Sequence, residues 1–367
     1  MIYIATQCFF PTRGGIEATM TALADHLTAL GHKVRVFADG DAADAAGDGA
    51  KPYPIQRFSG PKPWRRWRKK MAIAAAMRRE TVEGIFADSW KSLDAIPPTD
   101  RPIAMLAHGS EFPKTASAAK HARLTAGLER PATIIANSDF TADQVRALLR
   151  DRPGRVRIVL PSIEAQPEPT PEAMARARAL IDAPGPVITT LARLEPRKGV
   201  DRTLQALTGL SERHPGLVYV VAGAGEDEGR LKSLASELGM EAHVRFAGRV
   251  DDDLRAALLA ATDIFSMPVR REGNSVEGFG LTYIEAAWYG APALAGREGG
   301  AASAVLDGQT GLLCDGDDAA LVEAALARLL DDEPLRHRLG AAAAARARDF
   351  VWDAHTPEYL AAIGIGG

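Results

Sequence analysis

Short apolar runs bounded by glycine, proline or charge recur along this chain, and longer segments with apolar positions three and four apart lie between them. In the first half the runs are IYIAT, VRVFA, GIFAD, IAMLAH, TIIANS and VRIVL. In the second they are VITTLA, LVYVVAG, VRFAG, DIFSMP, PALAG and GLLCD. Runs this short and this continuously apolar suit strands covered on both faces, and the helical spacing between them suits crossovers. Six strands and six strands, each set interleaved with helices, predict two doubly wound parallel α/β domains. The stretch Pro161 to Pro171, PSIEAQPEPTP, has no periodicity and predicts a hinge, which places the domains at residues 1–163 and 164–349. Ligands of such folds lie outside the carboxyl ends of the strands, so a cleft between the two domains is the expected site.

Composition narrows the class. At 367 residues the chain exceeds one ordinary core, and 46% hydrophobic with 25% charged residues is a globular composition. A net charge of −3 argues against bulk nucleic-acid binding. Cys8 and Cys314 each sit in an apolar run, which fits two buried thiols in a reducing cytoplasm and gives neither a disulfide framework nor a metal cluster. The start, MIYIATQCFF, lacks the basic residues of a secretory leader. No apolar run approaches the roughly 18–20 residues of a membrane span. A cytoplasmic protein, soluble or peripheral on the inner face of the membrane, is expected.

Candidate chemistry concentrates in residues 264–300. A strand, IFSMP, is followed by a loop rich in Arg, Gly and Asn, then by a helix from Leu281 to Tyr289 that Gly290 and Pro292 stop. A second strand and a Gly299-Gly300 turn follow. The first N–H groups of a helix lack internal partners, and the helix dipole adds positive potential, so this loop–helix junction is a natural anion site. Gly278 and Gly280 present no Cβ to hold a ligand away. Glu285 lies about one turn inside the helix, so a carboxylate and a row of N–H groups face the same region. N–H groups suit a diphosphate and a carboxylate suits vicinal hydroxyls, the pairing a nucleotide sugar requires.

Other strand ends carry related features. The first strand runs into PTRGGIE, where Gly14 and Gly15 precede a helix. VITTLAR runs into LEPRKG, so that Arg193 and Lys198 bracket a short turn. A planar guanidinium and a compact ammonium suit a diphosphate that gains charge as it leaves. His108-Gly109-Ser110-Glu111 ends IAMLA, and Asn137-Ser138 ends TIIANS with Ser138 placed as a helix cap.

Together these motifs resemble those of the retaining nucleotide-sugar glycosyltransferases of the GT-B fold, glycosyltransferase family 4. Glu277 and Glu285, separated by seven residues with Gly278-Phe279-Gly280-Leu281 between them, resemble the E-x7-E signature of that family. R-L-x-x-x-K-G at 193–199 resembles its diphosphate-binding pair. GGIE with Gly31-His32-Lys33-Val34 resembles its amino-terminal signature, and His108-Gly109 its active-site histidine. The resemblance implies two Rossmann-like domains facing a deep inter-domain cleft, with a closing helix at 350–367 packed back on the first. It implies catalytic roles for His108, Arg193, Lys198 and Glu277, with His108 positioning the transferred sugar and Glu277 hydrogen-bonded to the donor sugar. It places Gly14 and Gly15 near the donor phosphates and the acceptor. It also places the N–H groups of Phe279, Gly280 and Leu281 at the diphosphate, Glu285 at the ribose, and the backbone of Gly248, Arg249 and Val250 at the nucleobase. With cations at the diphosphate and no D-x-D motif, neither a metal nor a cofactor beyond the nucleotide-sugar donor is expected. The P-R-K-G, V-E-G-F-G and MPVRREG stretches look closest to the phosphatidylinositol mannosyltransferase branch, which favours GDP-mannose over a UDP-hexose. The acceptor would be a lipid, a growing polysaccharide or a small polyol. One departure is Ser303, where the family often carries Glu to support the donor-site turn.

Residues 61–80, PKPWRRWRKKMAIAAAMRRE, hold eight Lys or Arg, two Trp and one Glu. Cations with interfacial aromatics suit an anionic bilayer surface, whereas a solvated basic helix would pack its tryptophans inward. No nucleic-acid partner is expected of a basic patch isolated in an acidic chain. The AGAGE turn at 222–226 lacks the third glycine of a dinucleotide fingerprint, which counts against an oxidoreductase. An epimerase or phosphorylase-like enzyme on the same twin architecture is a competing reading, as is a non-catalytic sugar-nucleotide-binding scaffold. The joint presence of His108, Arg193, Lys198, Glu277 and Glu285 disfavours the scaffold.

Overall fold

The structure, a computed structural model, describes residues 1–12, 14–112, 117–149 and 153–366. Arg13 of the PTRGGIE loop and Gly367 at the end of the closing segment lie outside the described residues. The chain divides into two compact units, Met1–Ser162 with Trp352–Gly367, and Ile163–Val351.

The first unit runs β1 (Ile2–Thr6), α1 (Gly15–Ala29), β2 (Val34–Asp39), β3 (Ile55–Phe58), α2 (Lys62–Met77), β4 (Gly84–Ala87), β5 (Ile103–Ala107), α3 (Ala118–Leu128), β6 (Thr133–Ala136), α4 (Asp139–Leu148) and β7 (Val156–Ile158). Among the described residues these strands form one parallel seven-stranded sheet in the order β3-β2-β1-β4-β5-β6-β7. The sequence reading finds six of the seven. It misses β3, IQRF, an edge strand in which only Phe58 is buried, so its pattern is mixed rather than continuously apolar. Side chains alternate across the sheet: Tyr3 and Ala5 enter the core on one face, Ile2 and Ile4 the core on the other.

The second unit runs α5 (Pro171–Ile181), β8 (Val187–Leu191), α6 (Val200–Leu210), β9 (Val218–Ala222), α7 (Glu228–Glu237), β10 (Val244–Gly248), α8 (Asp252–Ala260), β11 (Ile264–Met267), α9 (Leu281–Trp288), β12 (Ala293–Gly296), α10 (Ala301–Ala304), β13 (Gly311–Cys314), α11 (Ala319–Asp331) and α12 (Glu333–Ala347). Its parallel sheet has the order β10-β9-β8-β11-β12-β13. Of the proline-rich hinge, Pro171 becomes the first residue of α5, which Thr170 caps. Proline suits a first helical turn because its missing N–H would have no partner there.

The strand orders place one topological switch point in each unit, between β1 and β4 and between β8 and β11. Crossovers leave these strand pairs in opposite directions, which opens a crevice at their carboxyl ends. In the first unit that edge carries Thr6-Gln7-Cys8 and Asp88; in the second it carries Ala192-Arg193 and Pro268.

A final helix, α13 (Trp352–Ala362), belongs to the first unit. Trp352 stacks on His26 of α1 at 5.5 Å and lies 5.6 Å from Tyr359, whose ring meets Phe86 of β4 edge-on. With Leu23, Leu27 and Ile363 these rings complete the core on that face of the sheet. Trp352→Ala is expected to cost about 3–5 kcal/mol, the usual range for emptying a buried aromatic site. Urea unfolding measures this, and a loss under about 1 kcal/mol would contradict a core role for α13.

Candidate active site

At the switch point of the second unit, β8 leads through Arg193 and Glu195 into a tight turn at Pro196–Lys198 and then into α6. Gly199, at φ 73°, joins turn to helix, and a Cβ there would stand 2.1 Å from the carbonyl oxygen of Pro268. Only glycine both adopts this conformation cheaply and lets the Lys198 turn lie against the loop after β11. Arg270 of that loop ties the two together through its N–H, which donates to the Arg197 carbonyl at 2.9 Å. Its guanidinium forks onto Asp201 of α6 at 2.7 and 3.0 Å, and both side chains are buried.

The loop then delivers Glu277. Its carboxylate is 13% exposed and accepts from Arg197 Nη1 at 2.8 Å and, through the same oxygen, from Lys198 Nζ. Burial pushes the carboxyl upward, but the Lys198 and Arg197 charges overcome it and hold the pKa at about 2. Gly300 N–H donates to the Glu277 carbonyl at 2.8 Å, so the Gly299-Gly300 turn braces the same residue. Three residues on, Gly280, at φ 93°, is the N-cap of α9, which starts at Leu281, and no side chain caps it. Its first N–H groups therefore lack intrahelical partners beside the Lys198–Glu277–Arg197 cluster.

The structure brings some of the sequence-predicted residues together and leaves others apart. Lys198, Glu277, Phe279, Gly280 and Leu281 come together. Arg193 stands one link away: its side chain is 67% exposed and pairs with Glu195 at 3.1 Å, and Glu195 in turn accepts from Arg197 Nε at 2.9 Å. Glu285 sits on the next turn of α9 but faces Arg255 of α8, whose Nη1 donates to it at 3.0 Å, and burial raises its pKa. Gly248 ends β10, two strands from β8, and Arg249 and Val250 follow it; Gly248 accepts from Gly223 N–H at 2.7 Å through its carbonyl, and Arg249 is exposed. Ser303 lies buried in α10, where its carbonyl accepts from Arg346 Nη2 at 2.9 Å.

In the first unit Gly14 is the uncapped N-cap of α1 and Gly15 its first residue. A Cβ on Gly14 would lie 2.3 Å from a carboxylate oxygen of Glu17. His108 follows β5; its N–H donates to Glu111 Oε1 at 2.8 Å, and its Nε2 lies 2.9 Å from the Asp88 carbonyl oxygen.

Sequence reasoning missed Arg197, which shares Glu277 with Lys198, and the Arg270–Asp201 pair behind them. Arg197 carried a signal in its place beside Lys198 after Pro196. Arg270 and Asp201 are 69 residues apart, and no local pattern pairs them.

Comparison with known proteins adds to this geometry. Residues 13–166 match the family model described as Glycosyltransferase Family 4, and residues 173–346 match that of Glycosyl transferases group 1. A GDP-mannose-dependent alpha-(1-6)-phosphatidylinositol monomannoside mannosyltransferase of Mycolicibacterium smegmatis is 39% identical over 177 residues, 47% of this chain and 46% of that protein. A D-inositol 3-phosphate glycosyltransferase of Acidothermus cellulolyticus is 34% identical over 230 residues, 60% of this chain and 50% of that protein. The chain spans about half the length of the curated relatives it matches. Among solved structures, Anabaena Alr3699/HepE in complex with UDP aligns with a TM-score of 0.81 at 20% identity over 98% of each chain, and the shared fold is GT-B.

The buried cluster has a pH signature. Folded Glu277 stays charged down to about pH 2, whereas its ordinary value is 4.5. The stabilisation is therefore fully present above pH 4.5 and lost as pH falls from there towards 2. It amounts to roughly 3 kcal/mol at 1.36 kcal/mol per pKa unit. Glu277→Gln should remove this acid-labile component, so the difference in unfolding free energy between wild type and variant should shrink across that window. Parallel profiles would contradict the assignment.

Proposed function

We propose, for a chain that belongs to glycosyltransferase family 4 and has the GT-B fold, that it transfers a hexose from a nucleoside diphosphate sugar to a hydroxyl acceptor with retention of configuration. The observation that carries this reading is the buried Glu277 carboxylate held by Lys198 and Arg197 beside the uncapped start of α9. Without donor, Glu277 pairs with both cations, and Glu195 shares Arg197. A diphosphate entering at the helix start competes for Lys198, while Arg197 remains with Glu277 and Glu195. Lys198, Arg193 and the N–H groups of Phe279, Gly280 and Leu281 then stabilise the charge that develops on the leaving diphosphate. Donors fixed in advance at developing charge are commonly the largest catalytic contribution.

In this reading the oxygens of Glu277 accept from hydroxyls of the sugar, Glu285 from the ribose, and His108 contacts the transferred hexose. Gly14 and Gly15 lie by the phosphates and acceptor, and the 248–250 backbone reads the base. Glu277 and Glu285 touch different parts of the donor, so they are not the paired carboxylates of a glycosidase. The cations serve the diphosphate without a divalent ion. GDP-mannose is the favoured donor, because the 39% identical relative is GDP-mannose-dependent, and a phosphoinositol-bearing lipid is the favoured acceptor.

A lipid acceptor requires work at a bilayer, and α2 is built for it. Among the described residues no helix is long and apolar enough to cross a membrane. Lys69 and Ile73 turn inward, whereas Trp64, Trp67 and Met71 face outward at 57%, 52% and 48% exposure. The two indole rings stack at 4.9 Å, and Lys62, Arg68, Arg78 and Arg79 are exposed on the same segment. Two exposed aromatics among cations match the headgroup region of an anionic membrane. The inward-packed alternative for the tryptophans does not hold.

Two measurements test the reading. GDP should raise the melting temperature of the wild type and do so less for Lys198→Ala, since ligand at 100 times Kd adds about 2.7 kcal/mol; transfer from GDP-mannose should survive a chelator. A shift with NAD alone, or none with GDP, UDP or ADP, would return the oxidoreductase or scaffold readings. In sedimentation with vesicles, phosphatidylserine should retain the wild type and lose the Trp64→Ala, Trp67→Ala double variant, while phosphatidylcholine retains neither. Equal retention of both proteins would remove α2 from membrane binding.

A further inference from the structure

At the switch point of the first unit, one buried carboxylate accepts five hydrogen bonds. Asp88 is 2% exposed at the end of β4, directly beside the end of β1. Its Oδ2 accepts from Thr6 Oγ1 at 2.9 Å, Gln7 N–H at 2.7 Å and Cys8 N–H at 3.3 Å. Its Oδ1 accepts from Ser89 Oγ at 3.3 Å and from Ser92 Oγ. All five donors are uncharged, three from residues 6–8 at the end of β1 and two from residues 89 and 92, and together they fix both the start of the loop that leads to Gly14 and the backbone at position 88. The carbonyl of that same backbone faces His108 Nε2 at 2.9 Å. A carbonyl only accepts, so Nε2 carries a proton in this contact, and the neutral tautomer that fits it has its lone pair on Nδ1.

We propose that Asp88 is the positioning residue for His108: its carboxylate locks the β4 end so that the carbonyl selects one imidazole tautomer and presents Nδ1 as an acceptor. The kinetic part rests on the sugar-transfer reading, in which that acceptor meets a hydroxyl of the transferred hexose. An amide at position 88 keeps one acceptor oxygen for Thr6, Gln7 and Cys8 but turns an NH2 toward Ser89 and Ser92, whose hydroxyls must then reverse from donating to accepting, so Asn loosens the lock rather than preserving it. The action is indirect, through His108.

The decisive experiment reads the histidine ring directly. In long-range proton–nitrogen spectra of the 15N-labelled full chain, which has eight histidines, His108 is assigned by the signal lost in His108→Gln. The wild type should show a single Nε2–H tautomer at His108, and Asp88→Asn should show a mixture. With GDP-mannose as probe, Asp88→Asn should lower kcat by about 10- to 100-fold, the scale of a misplaced contact group, with KM unchanged. The same substitution should cost nothing further in a His108→Gln background, while any loss of melting temperature appears in both. Should Asp88→Asn fail to fold, Ser92→Ala removes one donor and should shift the same ring signals to a smaller extent. An unchanged tautomer, or an equal loss of kcat in the His108→Gln background, would overturn the proposal. If no nucleotide sugar is turned over, the transfer reading fails, and the ring spectrum still decides whether Asp88 positions His108.

Discussion

A carboxylate cannot sit buried without compensation, and the second unit is arranged around satisfying that of Glu277. Two cations answer it, and both come from one turn that Gly199 folds against the loop after β11. The loop must then stay where the turn needs it, and Arg270 secures it twice, through its N–H to Arg197 and its guanidinium to Asp201. Gly300 holds Glu277 from the other side. Helix start, lysine turn and glycine turn are thus parts of one solution to one charge.

The two units meet the same topological situation with different chemistry. Each opens a switch point at the carboxyl ends of its central strands. In the second unit the exposed strand ends are tied by ion pairs, which leaves cations that an incoming anion can recruit. In the first they are tied by uncharged hydroxyl and N–H donors on Asp88, which fixes the geometry of both strand ends. A recruitable cation suits a departing diphosphate; a fixed acceptor suits the orientation of a hydroxyl.

The division of α2 has a similar origin. Its inner face holds Lys69, which donates to the Thr6 carbonyl at 2.7 Å and pairs with Asp39 at 2.6 Å, while Arg65 takes the other oxygen of Asp39 at 2.9 Å. Burial lowers the pKa of Lys69, and the neighbouring Asp39 charge opposes that. With the sheet side occupied by Lys69 and Ile73, the positions three and seven residues after Trp64 point to solvent, which is why apolar Trp67 and Met71 are left outside.

Much of this was written locally in the chain. Twelve strands announced themselves as short apolar runs, because strands covered on both faces need continuous apolar sequence; β3 did not, because only Phe58 of its four residues is buried and its run mixes polar and apolar positions. The glycine-bearing starts of α1 and α9 and the RLEPRKG turn were legible because helix starts and tight turns are set by neighbouring residues. What tertiary structure decided were the partnerships across distance: Arg197 rather than Arg193 on Glu277, Arg255 on Glu285, Arg270 on Asp201, and Asp88 behind His108. A charged side chain has the same local signature whether it is solvated or buried against a partner 80 residues away. Only the folded backbone, by bringing two strand ends side by side, determines which charges meet.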